Sequence, residues 1–119
     1  MRAVLKKVGY SPRVIEIEDK WEVYRDLVDG WIEMIHMPFD DNVICVCNEE
    51  GKLVGKPANL IVPEYEDIFV GDLVFVADNG DGTECSLTDE QIGEIETYIK
   101  EHEVTPERFT EFIRYLRNK

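Results

Sequence analysis

Apolar positions around Val4, Leu5 and Val8 stop at Gly9-Tyr10-Ser11-Pro12, a turn-rich tetrapeptide, and resume at Val14-Ile15-Glu16-Ile17. That pattern predicts an N-terminal β-hairpin. The next segment changes period. Tyr24, Leu27 and Val28 fall on one face at helical spacing, Asp19 stands where a cap is needed, and Glu22 three residues later completes a capping-box pattern. Gly30 supplies a stop, so a short helix is expected.

The middle of the chain is β-rich. Trp31–His36 reads as a strand, Pro38–Asn42 as a turn, and Val43-Ile44-Cys45-Val46-Cys47 as an uninterrupted apolar strand buried on both faces. Asn48–Lys52 has the residues of a tight turn, with Leu53-Val54 expected to continue as the partner strand. From Gly55 to Asp67 the pattern is irregular and carries Pro57 and Pro63. It reads as a loop, with a short Leu60-Ile61-Val62 strand left open within it. Ile68 to Ala77 reads as one further β segment, with Gly71 marking a bulge or bend. Asp78–Thr83 then reverses the chain.

Two helices close the sequence. Thr88 and Gln91 have capping-box spacing, Leu87 is placed to staple onto Ile92, and Ile92, Ile95 and Ile99 form a buried stripe with Tyr98 beside it. Thr105 caps the last helix, with Pro106 at its first position. Phe109, Phe112, Ile113 and Leu116 follow at i, i+3, i+4 and i+7, an apolar stripe that must pack on the sheet or dock a partner. The expected fold is therefore α+β: hairpin, short helix, mostly antiparallel sheet and two C-terminal helices. Residues 1–104 are read as one domain, and residues 105–119 as an amphipathic helix packed on it or used for association.

A chain of 119 residues suits one domain, and its 44% hydrophobic share argues against intrinsic disorder. No run of about 20 apolar residues is present to span a bilayer. The N-terminal apolar run is broken too soon by Lys6 and Lys7 for a signal peptide, so a cytoplasmic protein is expected. Three cysteines, an odd number at unremarkable spacing, fit a reducing compartment.

Charge changes the picture more. The formal net charge is −13. Residues 1–30 carry six Lys/Arg against six Asp/Glu, residues 105–119 four against two, and residues 31–104 only three against eighteen. So acidic a chain is a poor ligand for nucleic acid, where affinity comes from neutralising phosphates, or for an anionic membrane. Two readings fit the acidic middle: a solvated surface, or an electronegative face that engages a basic protein or imitates a phosphate backbone.

Catalytic and metal patterns are not found. Cys45 and Cys47 share one strand face, but the paired Cys or His spacing of a zinc site is missing, and buried free cysteine is ordinary. Asp78-Asn79-Gly80-Asp81-Gly82-Thr83 lacks oxygen ligands at the third and fifth positions of a calcium loop and reads as a turn. Neither Ser11 nor Ser86 sits in a nucleophile frame, a Cys47–His36 pair would be silenced by burial, and no phosphate-cradling glycine frame occurs. No cofactor or metal is implied. Trp21, Phe39 and Tyr65 lie near element ends, either packing over a core edge or anchoring a partner.

The order of these motifs is informative. The capped helix ending in Leu27-Val28-Asp29-Gly30-Trp31, the stretch Cys47-Asn48-Glu49-Glu50-Gly51-Lys52 with Pro57-Ala58-Asn59 after it, then Val70-Gly71-Asp72 and Ser86–Ile92, resemble a small family, the domain of unknown function 3846. The resemblance covers about residues 1–100, with the last helix as an addition. Where members commonly carry Arg after the asparagine this chain has Leu60, so a uniform anion-binding loop is not implied. The resemblance implies a setting in bacteriophages, mobile elements and Gram-positive gut bacteria, and it carries no biochemical activity.

The expectation is a non-enzymatic binding or regulatory module whose acidic region engages a basic protein. Asn48, Glu49, Glu50, Lys52 and Asn59 are the candidate binding residues. The alternative is a small-ligand binder or an unrecognised enzyme with a pocket near residues 55–67. A homo-oligomer through Phe109, Phe112, Ile113 and Leu116 is a further possibility.

Overall fold

The computed structural model describes residues 1–119. Strands β1 (Arg2–Lys6), β2 (Arg13–Glu16), β3 (Ile32–Met37), β4 (Asp40–Asn48), β7 (Leu73–Asp78) and β8 (Glu84–Cys85) form the main sheet. Its order is β2-β1-β7-β4-β3, with β8 paired to the end of β7. Every ladder is antiparallel. Strands β5 (Ala58–Val62) and β6 (Asp67–Val70) form a separate two-stranded ribbon joined by a 3-10 turn at Pro63–Tyr65. Helices α1 (Trp21–Val28), α2 (Asp89–His102) and α3 (Pro106–Arg117) complete an α+β fold.

Period-two alternation decides which side chains meet. Ala3 and Leu5, Ile44 and Val46, and Val74 and Val76 turn to one face and pack with Tyr24 and Val28 of α1. Val4, Val43, Cys45, Cys47, Leu73, Phe75 and Ala77 turn to the other, where the ribbon and α2 cover them with Leu60, Val62, Phe69, Ile92, Ile95 and Ile99. With both faces covered, Val43–Cys47 of β4 is apolar throughout, as its sequence predicts.

The hairpin of β1 and β2 pairs in the register Ala3↔Ile15 and Leu5↔Arg13. Helix α2 starts as expected: Thr88 Oγ1 accepts from Gln91 N at 3.1 Å, and Gln91 Oε1 accepts from Thr88 N at 2.9 Å. Thr105 Oγ1 likewise accepts from Arg108 N at 3.2 Å and opens α3. The Asp78–Thr83 segment is a turn held by its own carboxylates, with Asp78 accepting from Gly80 N and Asp81 from Thr83 N.

Four local expectations are corrected. Asp19 does not cap α1. The cap position is Lys20, which makes no side-chain bond, and Asp19 instead accepts from the Tyr24 hydroxyl at 2.9 Å. The left-handed residue ending α1 is Asp29, φ 60°, ahead of Gly30. Leu53-Val54 is not a strand. Both edges of β4 are already paired, to β3 and β7, so Glu49–Gly55 winds through turns closed by Val54 N to Glu50 O and Lys56 N to Gly51 O. Finally, Ile68–Ala77 is two strands in two sheets. Gly71, φ 75°, makes the break, where a Cβ would meet Lys56 Cδ at 2.9 Å.

Helix α3 turns Phe112 into the protein at 7% exposed and leaves Phe109 at 40%. Ile113 and Leu116 are half-buried. Arg108 reaches back to the Glu103 carbonyl at 3.1 Å, and Lys119 pairs with Glu66. No helix is long and apolar enough to cross a membrane.

Candidate functional site

The five candidate residues divide into two kinds. Asn48, the last residue of β4, is buried. Its Nδ2 donates to the Val28 and Asp29 carbonyls at 3.2 and 2.9 Å, and its Oδ1 accepts from Glu50 N at 2.8 Å. It ties the C-terminus of α1 to the start of the following turn. Asn59, on β5, is also buried, and its Nδ2 donates to the carbonyls of Lys6 and Gly71 at 2.9 and 2.8 Å. Both amides hold backbone, and both residues are buried.

Glu49, Glu50 and Lys52 are exposed on the turn itself. Lys52 pairs with Asp67, and Lys56 pairs with Asp29 at 3.0 Å. Both nearby lysines are therefore engaged, while Glu33, Glu49 and Glu50 have no ion-pair partner. Asn48, Glu49 and Lys52 also line one cleft of about 210 Å³, with Cys47 and Asp67. Asn59 lies outside it.

Next to this turn stands an aromatic feature. Trp21 opens α1 and Trp31 follows its end, and their rings lie 6.5 Å apart and parallel to within 3°. Trp21 is 52% and Trp31 57% exposed. The Arg25 guanidinium lies 5.0 and 4.1 Å from the two ring centroids, a cation–π contact that orders the pair. The Trp31 carbonyl accepts from Glu49 N at 2.8 Å, so the indole pair and the acidic turn are joined through one backbone bond. Leu53 and Val54 are exposed on the same turn. Trp21 was a foreseeable anchor. Trp31 was not, because a tryptophan beside a β pattern reads as strand, and only the placement of Gly30 as a helix stop hinted that it sits at a junction. Of the other two aromatics, Tyr65 is exposed, with its hydroxyl on the His36 carbonyl, and Phe39 packs on Tyr98 at 5.1 Å.

Cys45 and Cys47 are buried, and burial pushes both thiols up, Cys47 to about 12 with Glu33 and Asp67 adding to it. His36 sits on β3 opposite Ile44 with its Nδ1 on the Asp41 carbonyl, and does not pair with Cys47. No three His, Cys, Asp or Glu side chains form a group able to hold a metal. The remaining acids of residues 31–104 are dispersed: Glu90, Glu94, Glu96 and Glu101 ride on α2, across the sheet from α1.

No curated protein and no solved structure matches the chain. A family model does, from β1 through the end of α2, leaving α3 beyond it. The chain, matched over residues 1–102, belongs to the family described as a domain of unknown function (DUF3846).

Proposed function

We propose that this protein is a small non-enzymatic binding or regulatory module that docks a basic protein surface on the face formed by the Glu49–Gly55 turn and the Trp21–Trp31 pair. One observation carries the reading: two half-exposed tryptophans, held parallel by Arg25, are tied through the Trp31 carbonyl to the backbone of a turn whose carboxylates have no cation partner. Exposed ordered tryptophan is the residue type that dominates binding energy at protein interfaces. Unpaired carboxylates beside it select a positively charged partner and speed its approach. A partner arginine or lysine would find both a carboxylate and an indole face. In the phage or mobile-element setting that the resemblance implies, such a module acts by occupying host machinery.

The test is affinity capture at low salt with the wild-type chain, the Glu49→Lys/Glu50→Lys double variant and Trp31→Ala. Support is a basic protein retained by the wild type, released by salt, and lost with both variants. Equal retention by all three chains overturns the reading.

A further inference from the structure

A second site lies away from the acidic turn and shares no lining residue with it. The linker between α2 and α3 runs beside β5, where Leu60 and Glu103 form an antiparallel bridge and Val104 N donates to the Asn59 carbonyl at 3.0 Å. The end of β1 and the turn of the first hairpin approach from the other side. Together they enclose a cavity of about 370 Å³ lined by Lys6, Tyr10, Ser11, Asn59, Glu103 and Val104 among others.

Two of these residues are polar and 2% exposed. Lys6 Nζ donates to the Lys7 carbonyl at 3.0 Å and stands 3.8 Å from Glu103 Oε2. An ammonium has three donors, so it keeps capacity for a further acceptor. Asn59 is oriented by the two carbonyls that its Nδ2 faces; a flipped amide would set oxygen against oxygen. Its Oδ1 is therefore fixed as the acceptor, is buried, and has no hydrogen-bond partner. A buried acceptor left unpaired costs about 1–3 kcal/mol.

The charges narrow the class of ligand. Burial lowers the Lys6 pKa, while the charges of Glu103 and Asp72 oppose that shift. Of the lining residues, a simple anion would meet Glu103 and a simple cation would meet Lys6. A molecule with both charges meets each opposite one. We infer that this cavity binds a small zwitterion, a free α-amino acid being the simplest, with its carboxylate on Lys6 and its ammonium between Glu103 and Asn59 Oδ1. The exposed Tyr10 ring and Ser11 hydroxyl stand at the rim to contact the remainder.

Thermal shift and calorimetry on the full chain test this with the common free α-amino acids, their N-acetyl derivatives and their carboxamides. At least one free amino acid should bind and raise the Tm, and both singly charged or neutral derivatives of it should fail. Glu103→Gln should weaken that affinity about tenfold or more, and it should lower the unliganded Tm as well, because it removes the carboxylate beside the buried Lys6 side chain. Three results overturn the inference: no free amino acid binds, the derivatives bind as well, or Glu103→Gln binds as tightly as wild type. None of them bears on the docking face, whose variants lie on other residues.

Discussion

The Asn48 side-chain amide donates to the Asp29 carbonyl at 2.9 Å, joining the end of a central strand to the left-handed end of the first helix. Gly30 makes room for it: with φ 153°, it has a Cβ position only 2.5 Å from Asn48 Nδ2. Asn48→Ala deletes three hydrogen bonds and leaves buried groups unpaired, which should cost about 2–4 kcal/mol in urea unfolding. Gly30→Ala should also destabilise, through its backbone angle and the collision together. A loss below 0.5 kcal/mol (about the scatter of a neutral surface change) in Asn48→Ala would remove this joint from the account of stability.

Glu84 on β8 is partly buried and lies beside Asp19, with Asp78 also near. Burial first, and then the Asp19 charge, raise its pKa above the ordinary glutamate value. The folded state therefore resists ionising it. The resulting cost is absent below the unfolded pKa, grows as pH rises toward the folded one, and is complete above it. Glu84→Gln should be more stable than wild type at pH 7, with the advantage vanishing in acid. Parallel unfolding curves of the two chains across that pH range check the sign.

Helix α3 separates packing from association by residue. Phe112→Ala opens a cavity against the cleft at Ile61, Pro63 and His102 and should cost about 2–4 kcal/mol. Phe109→Ala should change stability by less than about 0.5 kcal/mol. Sedimentation of the Phe109 variant beside wild type tests association through this stripe: an unchanged mass from a monomeric wild type assigns the stripe to packing alone.

Thiol chemistry reports burial. Cys85 is partly exposed, whereas Cys45 and Cys47 are buried with raised pKa values. At pH 8 a maleimide should modify Cys85 in the native protein and reach the other two only on unfolding. Mass spectrometry of labelled peptides before and after urea makes the comparison; early labelling of Cys47 would show that its cleft opens.

Trp31→Ala should leave the fold within about 1 kcal/mol of wild type, since the ring is more than half exposed. Its effect should fall on partner binding, about tenfold or more for an interface anchor. Equal loss of stability and affinity would make Trp31 a structural residue.

Local patterns were enough for the elements that rest on local physics. The first hairpin, the cap of α2 at Thr88 and Gln91, the start of α3 at Thr105, the two-faced burial of β4 and the confinement of negative charge all follow from spacing, turn residues and composition. The candidate site was legible only in part. Glu49 and Glu50 stand exposed where their turn was expected, but the same stretch could not show that Asn48 and Asn59 face inward, because an asparagine suits a surface loop and a buried backbone clamp equally.

What the tertiary structure alone decided concerns competition for partners. Leu53-Val54 has strand composition but no free edge to pair with, Ile68–Ala77 reads as one strand but is divided between two sheets at Gly71, and Asp19 prefers the Tyr24 hydroxyl to a helix cap. The parallel tryptophans, the orphaned Asn59 oxygen and the buried Lys6 arise the same way. Each depends on chain segments far apart in sequence arriving together, and periodicity records which face of an element is apolar without recording what will cover it.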